Sequence, residues 1–396
     1  MPAIPAMWWK FSSSLVSPYL WLAIFLFSAS LSSWGALFPT ASIFSFLPLL
    51  IFSFLGLGMS LLIRRKKIQL ETIFAIIAIF AILQSLAAIS QFVLQNDLGL
   101  QKIGESPLDR DIPGVAKIEV DSQKFIRGYG FFPHPNILAA LLILGLISLY
   151  FLFFRIKNWS WFSVLSVVMG FFLVLSGLTL TFSRSGWLAG FLITGILIIH
   201  GVRSSSTRKA AWRLAFLLTA CCLALGVVFY PYIFSRLSFS ADEPAVSLRS
   251  DYNRIGWEII KENPFGVGIG NQVYYAVEKG LYQDYGLTEK WQWQPIHNFY
   301  LLMTSELGVL GAMAFMAFIF STLYALRNSY LQHLPALLML LSLLMLGLFD
   351  HYLWDIWHGQ LLFWSVIGIL LAASPRSTKP TLGVGSLISQ SEHRSG

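Results

Sequence analysis

Charged residues are scarce in this chain. They make up 12% of its 396 residues, against roughly a quarter in an ordinary soluble domain. Apolar residues make up 56% and the mean hydropathy is +0.68, and they come in runs of about twenty, enough to cross a bilayer core of roughly 30 Å. The composition therefore excludes a soluble globular domain and predicts an all-α polytopic membrane protein.

Cysteines are few, and a phosphate-binding loop is missing as well. The two cysteines, Cys221 and Cys222, are adjacent inside one apolar run, which excludes a disulfide framework and predicts small core residues. The stretch Gly266-Val267-Gly268-Ile269-Gly270 matches neither a dinucleotide fingerprint nor a Walker loop, and no βαβ pattern surrounds it. Its glycines are predicted to let the backbone turn or pack closely.

The apolar runs predict ten membrane spans within a single transmembrane domain, residues 1–373. A Gly/Ser-rich tail, residues 374–396, is predicted to be disordered and cytoplasmic. The first span follows Lys10 without a small-residue cleavage site, so it is interpreted as a span and not as a signal peptide. The predicted spans are about 19–38, 43–63, 70–94, 136–154, 160–182, 186–200, 211–233, 298–326, 334–350 and 360–373.

Lys and Arg gather on one side of these spans, most densely in Arg64-Arg65-Lys66-Lys67. By the positive-inside rule that side is cytoplasmic, with both termini. The net charge is +8, but in a membrane protein its placement matters more than its sum. Membrane lipids are an expected partner, and nucleic acid is not. The opposite side carries two outer segments, 95–135 and 234–296. The second segment begins with a loose stretch, 238–247, followed by a predicted helix that ends before Pro264 and has Leu248, Tyr252, Ile255 and Ile259 on one face.

Three cations on the outer side are candidates for binding an anion. Arg184 lies between two apolar runs, and Ser183 is a plausible N-cap that places Arg184 in the first helical turn, where an anion is favoured. The alternative is snorkelling to lipid headgroups. Arg254 can pair with Glu258 at i,i+4, whereas Arg249 has Asn253 at that spacing and is the freer to meet a substrate; a solvated face is the alternative for Arg249.

His297 stands where the outer segment enters the eighth span, with Tyr300 and Thr304 below it on one helix face. An imidazole has a pKa near neutrality, which suits a general base. The alternative is that His297 only anchors the helix at the membrane boundary. Glu306 lies deeper in the same helix, turned away from His297, and is expected to need a buried partner.

Two further polar stretches flank the outer side. If helical, His351, Asp355 and His358 fall at metal-ligand spacing; the favoured interpretation is polar capping of a turn, with Trp354 and Trp357 as interfacial anchors. The stretch from Arg127 to Asn136 contains two prolines and two glycines, which predicts a fixed non-helical connection capped by Asn136.

The ordered set of these motifs resembles the O-antigen ligase/polymerase family over about residues 120–360. The set comprises Arg127-Gly-Tyr-Gly with His134-Pro-Asn, Thr181-Phe-Ser-Arg-Ser-Gly, Arg249 ahead of Asn263-Pro-Phe-Gly-Val-Gly-Ile-Gly-Asn, and His297-Asn-Phe-Tyr-Leu with Glu306-Leu-Gly. The chain has fewer predicted spans than these ligases commonly have.

The resemblance implies a bacterial GT-C-type glycosyltransferase of the cytoplasmic (inner) membrane. Such enzymes move a glycan from an undecaprenyl diphosphate carrier to an acceptor hydroxyl on the outer face, without a metal or other cofactor. The acceptor can be a glycan, a lipid or a protein. The expected catalytic residues are His297, Arg184 and Arg249, and the expected substrate-binding residues are Arg184, Arg249, Arg127, Asn136, Asn298, Tyr300 and Arg254.

Within the family, ligation, polymerisation and transfer to protein remain open. Two classes of protein outside the family compete with this interpretation. A transporter or lipid flippase should carry ionisable residues near the middle of several spans, and Glu306 is the only acid placed so. A structural scaffold leaves Arg184 and His297 without a purpose.

Overall fold

The computed structural model describes residues 17–156, 160–237 and 244–373, and most of them are helical. The predicted tail 374–396, Lys10 and the first part of the predicted loose stretch lie outside these residues. The helices are α1 (Pro18–Ser32), α2 (Pro39–Arg64), α3 (Leu70–Leu94), α4 (Pro135–Phe153), α5 (Trp161–Leu180), α6 (Arg184–Arg203), α7 (Arg208–Val228), α8 (Tyr230–Leu237), α9 (Pro244–Glu262), α10 (Gln272–Glu278), α11 (Leu281–Asp284), α12 (Phe299–Ala325), α13 (Leu334–Leu346), α14 (Tyr352–Asp355) and α15 (Trp357–Ala373).

An apolar helix stands at the position of each predicted span. Seven of these helices, α2 to α7 and α12, are long and apolar enough to cross a membrane. The other three, α1, α13 and α15, have 15, 13 and 17 residues, which is short for a span of about 20. The protein is therefore a polytopic, mostly helical membrane protein, and the residues that the structure describes contain seven full-length candidate spans.

Helix α4 lies at the centre of the bundle. Its most apolar window is 89% buried, far more than that of any other candidate span in the described chain. It contacts α3, α5, α6 and α13, so its apolar surface is covered by other helices and not by lipid. Cys221 of α7 is buried and Cys222 is exposed, and both are free thiols.

The polar connections gather at one end of the bundle, which we call the loop face. It comprises residues 33–38, 95–134, 181–183, 347–356 and the described parts of 229–298. A hairpin of two antiparallel strands, β1 (Lys117–Val120) and β2 (Gln123–Ile126), pairs Lys117 with Ile126 and packs beside α8. The predicted apolar face of α9 is confirmed, because Tyr252, Ile255 and Ile259 are buried together with Leu248 against them. Helix α9 begins at Pro244, within the stretch predicted to be loose, and ends at Glu262, before Pro264.

Helix α12 is interrupted at Gly308, which adopts φ 75° and ψ 174°. The segment Pro264–Gly270 docks at this break. The amides of Val267 and Gly268 donate to the carbonyls of Ser305 and Glu306 at 2.9 and 3.0 Å, and the Val309 amide donates to the Pro264 carbonyl at 2.9 Å. A side chain at Gly266 (φ +86°) would place its Cβ 2.3 Å from the Glu306 carbonyl oxygen. The prediction that these glycines serve turning and close packing is confirmed, whereas the break in the span was not foreseen.

Candidate active site

The turn between α5 and α6 positions Arg184. Ser183 caps α6, since its hydroxyl accepts from the Gly186 amide at 3.3 Å, and Arg184 is the first helical residue. The sequence predicted both the Ser183 cap and the position of Arg184 in the first helical turn. The buried Phe182 adopts φ 46°, a left-handed conformation that a bulky residue rarely takes. This tight turn directs its carbonyl oxygens toward neighbouring cations.

Three arginines surround this turn. Arg127 donates from Nε to the Thr181 carbonyl at 2.6 Å, and Arg236 donates from Nε to the Phe182 carbonyl at 3.1 Å. Arg184 donates from Nε to the Arg236 carbonyl at 2.8 Å. We call Arg127, Arg184 and Arg236 the arginine group. Arg236 was missed in the sequence; the signal was its position as the one cation on the short aromatic helix α8.

Burial of Arg127 gives this group an unusual electrostatic character. The side chain is buried, and its second contact is a hydrogen bond from Nη2 to Asn136 Oδ1 at 2.9 Å. Burial, together with the positive charges of Arg236 and Arg249, lowers the pKa of Arg127 to about 9. An anion bound beside Arg127 offsets the charge of the neighbouring cations and favours the charged guanidinium.

The predicted cap of α4 is wrong. His134, and not Asn136, caps the helix: His134 Nδ1 accepts from the Asn136 amide at 3.2 Å. Asn136 is thereby free for another contact, and its Nδ2 donates to Asp350 Oδ2 at 2.7 Å. The chain Arg127–Asn136–Asp350 thus joins the arginine group to the loop between α13 and α15.

His297 lies at the other end of this chain. Its ring stacks on Tyr252 of α9 at 5.3 Å and 16°, and meets the His351 ring edge-to-face at 4.9 Å and 74°. Nδ1 lies 2.9 Å from the Pro295 carbonyl. A carbonyl oxygen only accepts, so Nδ1 carries the hydrogen and Nε2 presents a lone pair. No residue of the described chain hydrogen-bonds to Nε2.

The surroundings of His297 keep it neutral. Burial, the neighbouring His351 and, more weakly, Arg249 lower its pKa to about 4, against the opposing charge of Asp350. The sequence suggested an imidazole that titrates near neutrality. The structure instead holds a neutral ring with one open acceptor nitrogen.

The metal-ligand spacing that His351, Asp355 and His358 would have on one helix does not form. Helix α14 ends at Asp355, Ile356 is extended, and α15 begins at Trp357, so no single helix carries all three side chains. His351 Nδ1 contacts Asp355 at 2.8 Å, whereas His358 packs on Phe132 with 5.4 Å between ring centroids. Within residues 17–156, 160–237 and 244–373, no three His, Cys, Asp or Glu side chains are arranged to hold a metal ion.

Arg249 and Arg254 differ as expected, with one correction. Arg249 is half-buried and its charge acts on His297, His351 and Arg127. Arg254 is 66% exposed and lies 3.9 Å from Asp251, not beside Glu258. Glu258 accepts instead from the Tyr285 hydroxyl at 2.6 Å. The structure therefore places Arg249, and not Arg254, beside the histidines.

Asn298 and Tyr300 have contacts that hold the fold. Asn298 caps α12, because its Oδ1 accepts from the amides of Tyr300 and Leu301 at 3.0 and 3.1 Å. The Tyr300 hydroxyl donates to the Leu344 carbonyl at 2.8 Å. Their expected part in substrate binding stays a prediction.

Glu306 has the buried partner that the sequence required. Its Oε2 accepts from Trp354 Nε1 at 2.7 Å, and its Oε1 from the Gln272 amide at 3.4 Å. Trp354 is buried and is not the interfacial anchor that was predicted, while Trp357 is 64% exposed. Gln272 Oε1 in turn accepts from the Ile296 amide, so this buried carboxylate supports the segment that carries His297.

An apolar groove of about 280 Å³ runs along α6 below the arginine group. Trp187 lies one helical turn from Arg184, and Ile233 lies one turn before Arg236 on α8. The groove is lined by Leu146, Leu175, Leu178, Thr179, Trp187, Gly190, Phe191, Thr194, Leu218, Cys222 and Ile233.

The fold and the site define a polytopic helical membrane protein in which a group of arginines is joined, through Asn136 and Asp350, to the surroundings of a neutral histidine. Residues 169–316 match the family model described as O-antigen ligase, and this range contains Arg184, Arg249, His297 and Glu306. A curated protein of Rickettsia conorii named "Putative polysaccharide ligase" is 24% identical over 220 residues. That alignment covers 52% of this chain and 51% of the relative, so the chain spans about half the length of the curated relative it matches. The predicted resemblance to the O-antigen ligase family is confirmed.

Proposed function

We propose that this protein is a glycan transferase of the O-antigen ligase type. It moves a glycan from an undecaprenyl diphosphate carrier to an acceptor hydroxyl on a glycan, lipid or protein. The loop face is the extracytoplasmic face of the bacterial cytoplasmic membrane, with both termini on the cytoplasmic side and membrane lipids around the bundle. The observation that carries the proposal is the neutral His297, with Nε2 open, near Arg249 and Asp350; Asp350 is joined through Asn136 to Arg127 of the arginine group.

The chemistry follows from these charges. The bond between the anomeric carbon and the carrier phosphate breaks, and the diphosphate leaves with additional negative charge. Arg184 and Arg249 hold the diphosphate and stabilise that charge through charge-assisted hydrogen bonds. The acceptor hydroxyl oxygen forms the new glycosidic bond, and its proton passes to His297 Nε2. No metal or other cofactor takes part.

Donor binding also adjusts His297. In the structure the charge of Arg249 contributes to the low pKa of His297. A diphosphate beside Arg249 offsets that charge and raises the pKa of His297, because a nearby anion favours the imidazolium. The histidine is therefore a weak base until the donor is bound, which limits proton uptake to the loaded site.

The apolar groove below the arginine group supports a long isoprenoid chain. A polyprenyl diphosphate joins an apolar chain directly to a double phosphate. Helix α6 offers matching surfaces in the same order. The apolar groove at Thr194 and Trp187 suits the isoprenoid chain, and Arg184 beyond it suits the diphosphate. Because the polyprenyl chain lies in lipid before it binds, the groove holds it by packing and shape and not by removing it from water.

The decisive experiment is glycan transfer by the purified protein in lipid nanodiscs, with an undecaprenyl diphosphate-linked oligosaccharide as donor and EDTA in the buffer. His297→Ala should lower transfer by roughly 10²–10⁴-fold while donor binding persists, because the arginines remain. Arg254→Ala is the matched control and should keep wild-type activity. Full activity of His297→Ala would remove this residue from the mechanism, and activity that requires a divalent ion would contradict a metal-free transferase.

His297→Gln separates two roles of the imidazole. Glutamine can hydrogen-bond to the acceptor hydroxyl but does not take up a proton near neutrality. Near-normal turnover in His297→Gln with loss in His297→Ala would assign positioning to His297. Loss in both variants would assign proton uptake.

A further inference from the structure

His351 is held between two carboxylates and against His297. Its Nδ1 lies 2.8 Å from both carboxylate oxygens of Asp355, and its Nε2 lies 3.9 Å from Asp350 Oδ1. The His351 side chain is 13% exposed. The edge-to-face contact with His297, 4.9 Å between centroids, makes the two imidazoles direct neighbours. A shielded imidazole with a carboxylate at each nitrogen is favoured in its doubly protonated, positive form.

The groups around the two histidines support opposite charge states. Burial by itself disfavours charge on His351, but Asp355 and then Asp350 overcome it and raise the pKa of His351 to about 9. Burial and the positive His351 lower the pKa of His297 to about 4. At neutral pH the pair therefore consists of one imidazolium and one neutral imidazole.

The other charged and titratable groups come from three directions. Helix α9 contributes Arg249 and Tyr252, the segment before α4 contributes Arg127 and His134, and the α13–α15 connection contributes Asp350, Asp355 and Tyr352. Burial lowers the pKa of His134 to about 3. The pKa of Asp350 falls to about 2, because the neighbouring histidines outweigh its burial. Neither changes charge between pH 5 and 8. Among the charges that lower the pKa of His297, His351 has the largest effect and Arg249 a smaller one, while Asp350 opposes both.

We propose that His351, anchored by Asp355, is a positioning residue for glycan transfer: its positive charge keeps the neighbouring His297 neutral and ready to accept the proton of the acceptor hydroxyl. This inference rests on the proposed function and assigns a role to residues outside the matched region 169–316. His351 itself gives up no proton in the step. It acts through His297.

The consequence is a specific pH dependence. If His297 must be neutral, transfer falls as the pH drops through the pKa of His297. Removing the positive charge 4.9 Å away raises that pKa, so the acid limb moves to higher pH. A unit charge at this distance shifts a pKa by roughly one unit or more at a partly exposed site.

The test is the pH profile of kcat/KM from pH 3 to 8, a range that includes the pKa of about 4 for His297, for wild type, His351→Gln and Asp355→Asn, with His351→Lys as the charge-retaining control. We expect the acid limb to move up by roughly one unit in His351→Gln and Asp355→Asn, and to stay near the wild-type position in His351→Lys. Activity reduced equally at every pH, with no shift of the limb, would mean that His351 is only structural and would overturn the proposal.

A second measurement avoids dependence on turnover. Diethylpyrocarbonate modifies neutral imidazoles, so the pH dependence of His297 modification, read by mass spectrometry, reports the same midpoint. An unshifted midpoint in a folded Asp355→Asn variant would also overturn the proposal. Two combinations of results separate the two proposals. If His297→Ala keeps full transfer while the midpoint of His297 modification shifts in the His351 and Asp355 variants, the proposed function of His297 fails and the electrostatic coupling stands. If His297→Ala is inactive and that midpoint does not shift, only the role of His351 fails.

Discussion

Replacing Arg249 with alanine should lower transfer far more than replacing Arg254, because Arg249 is on the side of α9 that is proposed to face the substrate. Arg249 is half-buried beside the histidines. Two unit charges about 4 Å apart attract by about 4 kcal/mol at an effective dielectric constant near 20. Part of this is offset by desolvation, so Arg249→Ala should cost about 2–4 kcal/mol of transition-state stabilisation, or roughly 30- to 1000-fold in kcat/KM.

The matched control lies five residues further on the same helix. Arg254 is 66% exposed with Asp251 at 3.9 Å, and exposed pairs of this kind contribute about 0.2–1 kcal/mol. Arg254→Ala should therefore change kcat/KM by no more than a few-fold. Arg249→Lys retains the charge but not the planar fork and should fall between the two.

The assay is transfer from the lipid-linked donor in nanodiscs, at equal amounts of folded protein judged by thermal unfolding. Equal losses in Arg249→Ala and Arg254→Ala would refute the assignment, since both variants remove one cation from one helix. High salt screens exposed charges beyond a few ångströms. If 1 M salt lowers the transfer activity of the wild type as much as Arg249→Ala does, Arg249 acts by attracting the donor from a distance and not by direct contact.

Two further predictions concern the membrane. Thr194→Trp fills the apolar groove and should raise the KM for the polyprenyl donor roughly tenfold or more. The control Leu192→Trp, on the exposed side of α6, should leave this KM unchanged. Equal effects of the two variants would exclude the groove as the binding site of the polyprenyl chain. In a background without Cys221 and Cys222, a membrane-impermeant maleimide should label cysteine at position 283 but not at position 205 in intact cells, and the reverse pattern would invert the proposed orientation.

Much of the fold could be predicted because hydrophobic length and helix-end chemistry are local properties. The positions of the apolar helices, the Ser183 cap of α6 and the apolar face of α9 all follow from neighbouring residues in the chain. The need of Glu306 for a buried partner also followed, since a carboxylate inside an apolar helix must be compensated.

The misses concern contacts between distant segments. Trp354 was interpreted as an interfacial anchor because its partner, Glu306, is 48 residues away. Arg236 was overlooked because its position in the arginine group depends on the turn at Phe182, 54 residues earlier. The choice of Asn136 over His134 as the cap followed residue preference, while the contact of Asn136 with Asp350 lies 214 residues away.

The site residues could be recognised as candidates, but their charge states could not. An isolated sequence suggests an ordinary imidazole pKa for His297. The low value arises from burial and from His351, a residue 54 positions later that the sequence offered only as a possible metal ligand. Proximity in space, and not residue type, decides which of the histidines is neutral.

The break in α12 at Gly308 implies an order of assembly during synthesis. The broken turn exposes backbone groups that cost several kcal/mol each in hydrocarbon, and the docked segment from Pro264 to Gly268 satisfies them. That segment is translated before α12 and has therefore left the ribosome when Gly308 reaches the translocon. Helix α12 can then settle onto a loop that is already present, so moving this loop behind α12 by circular permutation should leave the helix to insert with its break unpaired.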